Sequence, residues 1–293
     1  MKKVLIVVAG LVFLLSLGWQ LIGFYWEHEY GQKAPLVELT VGGTDRHYYL
    51  FVPDNLAKPA PLLLAFHGGG GGGWRFPQQT LFEQLAAAEG FIIAFPEARL
   101  IEPNEGGWQL NTRAEWMQDI NYVGAVINDI ARQYRVNRKQ VYGIGYSLGS
   151  MFIYELACHM ADRFAALASY AGTMPVNPDS CMQSTPVPIL HVHGKQDQII
   201  AYDSEWEWKD WSSVGTMRDI PSLVSFWVDK YRCADVAKNT TGNVQHIVHS
   251  NCEGNARIEL YGLDDQNHDW PQAINNVSMH QALWNFLGEF QLD

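Results

Sequence analysis

Basic charge, cysteine and linker-like sequence are what this chain is short of. Its 20 lysines and arginines against 31 aspartates and glutamates leave a formal charge of −11, so there is no basic footprint for a phosphate backbone and nucleic acid is disfavoured as a partner. Only 4 cysteines occur in 293 residues. None forms a CxxC pair, the usual spacing of a structural metal site, and neither a metal nor a cofactor is expected. No internal repeat and no Pro/Ser-rich linker interrupts the chain, and 47% hydrophobic residues supply enough apolar surface for one buried sheet. A single domain over residues 31–293 is therefore expected, and the sequence is silent on oligomeric state.

The first residues read as an export address. Lys2 and Lys3 precede an apolar run over residues 4–15, and Ser16, Leu17 and Gly18 offer small residues for cleavage. Apolarity continues through Trp19, Leu21, Ile22, Phe24, Tyr25 and Trp26, close to the roughly 20 residues that cross a bilayer. Residues 1–30 are thus either a cleaved signal peptide or an uncleaved anchor, with residues 4–26 as the membrane tether. Both place the remainder outside the cytoplasm, secreted or periplasmic. No cysteine follows the run, so lipid attachment there has no acceptor.

What the chain does contain is Gly145-Tyr146-Ser147-Leu148-Gly149, a GxSxG sequence. Residues 141–144 suit a short buried strand, while Leu148, Met151, Phe152, Leu156 and Met160 recur at helical spacing. Ser147 then sits on the sharp turn between strand and helix, where the flanking glycines let the two backbones pass closely. Upstream, the apolar residues 62–66 run into His67 and six consecutive glycines, Gly68 to Gly73. Backbone free of side chains can approach a substrate carbonyl, so amides at Gly69 and Leu148 are the candidate oxyanion donors. The alternative for the glycines is a flexible linker.

Downstream, residues 187–193 read as another central strand, and Asp197 lies on the loop after it. Asp203, Asp264 and Asp265 are its rivals. Late in the chain, residues 258–261 precede a loop bearing His268, whose rivals His246, His249 and His280 sit in strand-like or helix-like sequence. The order Ser147, Asp197, His268 is that of α/β hydrolases. A serine hydroxyl is a weak nucleophile, so His268 would take its proton during attack and Asp197 would fix the imidazole tautomer. His191 and His193 alternate on one strand face without further ligands, which makes them satisfied strand histidines rather than a metal pair.

Several lesser features complete the reading. Residues 79–89 look like a helix stopped by Gly90, Asp119 like the N-cap of the next, and residues 279–287 like a closing helix. Residues 36–41 and 47–52 suggest an edge hairpin turning through residues 42–45.

Taken together, residues 36–287 resemble extracellular serine esterases of the polyhydroxybutyrate depolymerase and feruloyl esterase type. The likeness is carried by His67-Gly68, the elbow with Leu156-Ala157-Cys158 after it, Asp162-Arg163-Phe164-Ala165-Ala166, His193-Gly194 with Asp197, and His268-Asp269-Trp270-Pro271. It implies the α/β hydrolase fold, with a mostly parallel central sheet and helices on both faces. It also implies Ser147, Asp197 and His268 as nucleophile, acid and base of a carboxylic-ester hydrolase. Four cysteines allow three pairings; the resemblance and the short separations favour Cys158 with Cys181 and Cys233 with Cys252. Trp74, Trp108 and Trp270 are candidate substrate contacts, with Phe76, Trp206, Trp208 and Trp211 in nearby loops. A polymer-binding module is absent, which favours a soluble small-molecule or oligosaccharide-linked ester carrying feruloyl, acetyl or short 3-hydroxyalkanoate groups. An acyltransferase on the same residues and an inert surface binding protein of the same fold are the alternatives.

Overall fold

The computed structural model describes residues 18–21, 34–56, 59–69, 72, 76, 81–102, 105–112, 117–178, 181, 185–207 and 215–293. Most of the expected export segment and Trp74, Trp208 and Trp211 lie outside them. Among the described residues no helix is long and apolar enough to cross a membrane.

Ten strands form one sheet. In chain order they are β1 (Leu36–Val41), β2 (Thr44–Phe51), β3 (Ala60–Phe66), β4 (Ile92–Pro96), β5 (Val136–Tyr146), β6 (Ala166–Tyr170), β7 (Ile189–Gly194), β8 (Asp235–Thr241), β9 (Val244–Ser250) and β10 (Ile258–Leu263). Across the sheet they run β1-β2-β4-β3-β5-β6-β7-β10-β9-β8. The six central strands from β4 to β10 are parallel, and antiparallel strands flank them on both sides. This is the α/β hydrolase architecture that the sequence implies.

The central strands are apolar on both faces because helices cover both. Leu62, Leu64 and Phe66 of β3 pack with helices α2 (Gln118–Gln133), α3 (Leu148–His159) and α4 (Ile220–Lys230). Leu63 and Ala65 face the other way, toward α1 (Phe82–Glu89) and α5 (Met279–Leu287). Gly90 ends α1 as expected, at φ 76° with its N–H donating to the Ala86 carbonyl. Both expected disulfides are present, Cys158–Cys181 and Cys233–Cys252.

Three expectations change in detail. The edge hairpin turns through Gly42 and Gly43 alone, and β2 begins at Thr44, because both glycines take positive φ (58° and 79°) and close a two-residue turn. Strand β5 starts five residues before the apolar run, since its first half is only partly covered and carries polar side chains. Asp119 is not the cap of α2. It lies inside the first turn, fully buried, where it pairs with Arg46 at 2.7 Å and accepts from the Gln109 N–H at 2.7 Å.

Candidate active site

Ser147 follows the last residue of β5 and precedes the first of α3, at φ 53° and ψ −119°. A non-glycine residue here costs on the order of 1–3 kcal/mol and persists only when its surroundings over-determine it. They do. The Ser147 N–H donates to the Tyr170 carbonyl at 2.9 Å, and its own carbonyl accepts from the Met151 N–H at 3.0 Å. A Cβ on Gly145 would meet the Gly149 carbonyl oxygen at 2.1 Å, and one on Gly149 would meet that of Phe66 at 2.2 Å. The spacing of the two glycines around the serine is therefore a steric requirement.

The three expected residues meet. Ser147 Oγ donates to His268 Nε2 at 2.9 Å, and His268 Nδ1 donates to Asp197 Oδ2 at 2.8 Å. Rival groups are engaged elsewhere: Asp264 with Lys195 at 2.7 Å, His246 with Glu259 at 2.7 Å, and His280 with Ser278 at 3.3 Å.

Asp197 is buried, yet its carboxyl is held well below the ordinary aspartate range. Burial opposes ionisation, and hydrogen bonds outweigh it: from His193, from His268, and from the backbone N–H of Ile200. His193 Nε2 lies 3.3 Å from Oδ2. Oδ1 accepts from the Ile199 and Ile200 N–H groups at 2.8 and 2.9 Å. Such a carboxylate is fixed in both charge and direction.

The loop carrying His268 is tied to both neighbours. The Tyr146 hydroxyl donates to the His268 carbonyl at 3.1 Å, and that of Tyr170 donates to the Asp269 carbonyl at 2.5 Å. A Cβ on Gly194 would meet the Gln266 carbonyl oxygen at 2.2 Å, so the acid strand and the base loop approach as closely as backbones can. Trp270 is half-buried among Phe76, Tyr146 and Tyr170, ring edges against ring faces. It stands two residues after His268 in the chain.

On the other side of the serine, the backbone of Gly68 passes so near that a Cβ there would sit 3.1 Å from Ser147 Cβ. His67 sets the direction of that backbone. The Ala98 N–H donates to His67 Nε2 at 3.1 Å, which leaves Nδ1 as the donor to the Gly68 carbonyl at 2.8 Å. Burial holds the ring neutral by lowering its pKa, in keeping with this tautomer. In a trans peptide the carbonyl and the next N–H point oppositely, so anchoring the Gly68 oxygen turns the Gly69 N–H the other way. Leu148 is the first residue of α3 and its N–H has no carbonyl within the helix to bind.

Trp108 takes a different place from the one expected. It is fully buried, stacked on Phe152 at 4.8 Å, and its Nε1–H donates to the His67 carbonyl at 2.9 Å. Its bulk and its one donor prop the backbone at His67. Sequence reasoning also passed over the roles of His67, Tyr146, Tyr170 and His193. The alternation of His191 and His193 was visible, but not what their nitrogens bind.

A family model described as the dienelactone hydrolase family matches residues 50–210. Among curated relatives, the bifunctional acetylxylan esterase/xylanase of Neocallimastix patriciarum is 25% identical over 259 residues, 86% of this chain and 34% of its own length. Feruloyl esterase B of Piromyces equi is 25% identical over 240 residues, 80% of this chain and 43% of its own. Acetylxylan esterase A of Aspergillus oryzae is 30% identical over 142 residues, 47% of this chain and 44% of its own. The chain thus spans less than half the length of these relatives. Among solved structures, the acetyl xylan esterase from Aspergillus awamori matches with a TM-score of 0.66 at 15% identity, over 86% of this chain and 98% of its own. That likeness is one of fold. The feruloyl esterase side of the expected resemblance thus has a counterpart among the relatives.

Proposed function

Because this chain belongs to the dienelactone hydrolase family, we propose that it is an exported serine esterase that hydrolyses soluble carboxylic esters through an acyl-enzyme. The observation that carries the reading is the unbroken hydrogen-bonded path from the Ser147 hydroxyl through His268 to Asp197. His268 takes the serine proton as Oγ attacks the ester carbonyl, and Asp197 stabilises the imidazolium that results. The N–H groups of Gly69 and Leu148 face the oxygen that becomes negative, each typically worth about 3–4 kcal/mol of barrier. Collapse expels the alcohol, which leaves with the proton from His268. Water then attacks the acyl-serine, giving its proton to the same imidazole, and the acid departs with Ser147 restored.

The names of the relatives favour an acetyl or feruloyl ester of a polysaccharide or its fragments. Export is supported by the two disulfides, which persist in oxidising compartments, and by the apolar segment behind Lys2 and Lys3. On this reading residues 31–293 act as one domain behind residues 1–30.

The test is a panel of p-nitrophenyl acetate, longer p-nitrophenyl esters, methyl ferulate, acetylated xylan oligomers and 3-hydroxybutyrate oligomers, with and without an alcohol acceptor. Wild type should hydrolyse acetyl or feruloyl esters fastest, and Ser147→Ala should lose several orders of magnitude in turnover while remaining folded. Equal rates in the two proteins would remove Ser147 from its role; transfer exceeding hydrolysis would make the protein an acyltransferase.

A further inference from the structure

Behind the acid lies a buried chain of polar side chains that the reaction does not itself require. It starts at Asp197 and runs inward along β7. His193 Nε2 lies 3.3 Å from Asp197 Oδ2 and 2.9 Å from the carbonyl oxygen of Ile200. His193 Nδ1 faces His191 Nε2 at 3.0 Å. His191 Nδ1 in turn faces the Tyr154 hydroxyl at 2.7 Å and Ser169 Oγ at 3.0 Å, and Ser169 bonds Ser150 on the elbow helix. Both rings are buried.

Donor and acceptor roles along this chain follow from chemistry. A carbonyl oxygen only accepts, so His193 Nε2 carries a hydrogen. A phenol donates far more readily than it accepts, so Tyr154 gives its hydrogen to His191 Nδ1. His191 is neutral, its pKa driven well down by burial and then by the neighbouring His193, and its single hydrogen therefore sits on Nε2. That hydrogen is donated to His193 Nδ1. Each link thus fixes the next, and the last N–H, bonded to the Ile200 carbonyl, sits on a nitrogen 3.3 Å from the acid.

We infer that His193, set by His191 and Tyr154, is a positioning residue for Asp197: a second, neutral imidazole donor on the carboxylate oxygen that holds the base. The inference rests on the esterase reading above. His193 Nε2 is shared between Oδ2 and the Ile200 carbonyl, while the N–H of Ile200 binds Oδ1 of the same carboxylate. One ring therefore closes the loop of residues 197–200 around the acid from both ends. Its two neighbours on the strand face explain why a histidine is needed. A leucine of similar bulk would leave Oδ2 a donor short, and would leave the His191 N–H buried without an acceptor.

The consequence is read in pH. Besides His193 and His268, the groups facing Asp197 are Tyr146 and Tyr170 at the ends of β5 and β6, with Asp269 behind them; Tyr202 packs on the His193 ring. Burial raises all three phenol pKa values, to about 12 for Tyr146 and Tyr202, so none changes charge near neutrality. Removing the His193 donor leaves the carboxylate more basic. Protonated forms of the coupled pair are then favoured, and the acid limb of kcat/KM moves to higher pH.

The experiment is kcat/KM against pH, between about pH 5 and 8, with p-nitrophenyl acetate for wild type, His193→Gln, His193→Phe and Ser147→Ala. His193→Gln places an amide N–H where Nε2 was. Phe at position 193 should lower kcat/KM by about tenfold or more and move the acid limb up by on the order of one unit, and Gln should return the limb toward wild type. A limb that stays in place in His193→Phe, with the rate scaled equally at every pH, would overturn the inference while an inactive Ser147→Ala still upheld the triad. If the Phe variant does not fold, nitrogen-15 spectra of wild-type histidines decide: both His191 and His193 should be Nε2–H tautomers. Nδ1–H on either ring, or a doubly protonated His193 at neutral pH, would overturn it. Ser147→Ala as active as wild type would sink both proposals together.

Discussion

Ser147 and Asp197 reach one imidazole from either side of β6, and different forces hold them there. The serine end is set by sterics: a positive φ, glycines that cannot accept a Cβ, and apolar packing of α3 under β5. The acid end is set by polar contacts: two backbone N–H groups bond one oxygen, the His268 N–H bonds the other, and His193 Nε2 lies 3.3 Å from that second oxygen. Steric positioning is indifferent to pH and fails abruptly when a methyl group is added. Polar positioning degrades in steps and leaves a pH signature.

The sharpest way to break the contrast is to add atoms at the serine end. Gly149→Ala puts a Cβ 2.2 Å from the Phe66 carbonyl oxygen, so the elbow helix or the oxyanion strand must move. Activity should vanish at every pH, with soluble yield or melting temperature falling alongside. At the acid end, Asp197→Asn keeps the shape and reverses one hydrogen bond. A wrong His268 tautomer should cost about 10³–10⁴ in kcat, measured on p-nitrophenyl acetate, with melting temperature near that of wild type.

Trp108→Phe should act more mildly. The ring still fills the space against Phe152, but the His67 carbonyl loses its donor, at a cost of about 1–3 kcal/mol in stability. The glycine loop then loosens, and kcat should fall by about tenfold with KM little changed. The smallest effect on turnover is expected from Cys233→Ser with Cys252→Ser. This bridge lies at the end of β10 opposite His268, so the unfolding free energy from denaturant titration should drop by about 3 kcal/mol while kcat stays at its wild-type value.

The same contrast explains what could be read from the amino-acid sequence. The serine end was legible because steric demands are local: GxSxG between an apolar run and a helical stripe leaves little freedom. Parallel strands buried on both faces were legible as unbroken apolar runs such as residues 62–66. The polar end was not. Nothing near Asp119 in sequence announces Arg46, 73 residues away, and nothing in His191 and His193 announces Tyr154 or Asp197 as partners. Trp108 misled for a related reason. A tryptophan in a loop reads equally well as a contact surface or as a prop, and only its bond to His67 decides.

The central claim is that the Ser147 hydroxyl is activated through His268. Mass spectrometry after incubation with a fluorophosphonate tests it most directly. The account predicts one adduct, on Ser147, formed quickly in wild type, far more slowly in His268→Ala, and not at all in Ser147→Ala. An adduct on another residue, or equal labelling of all three proteins, would contradict it.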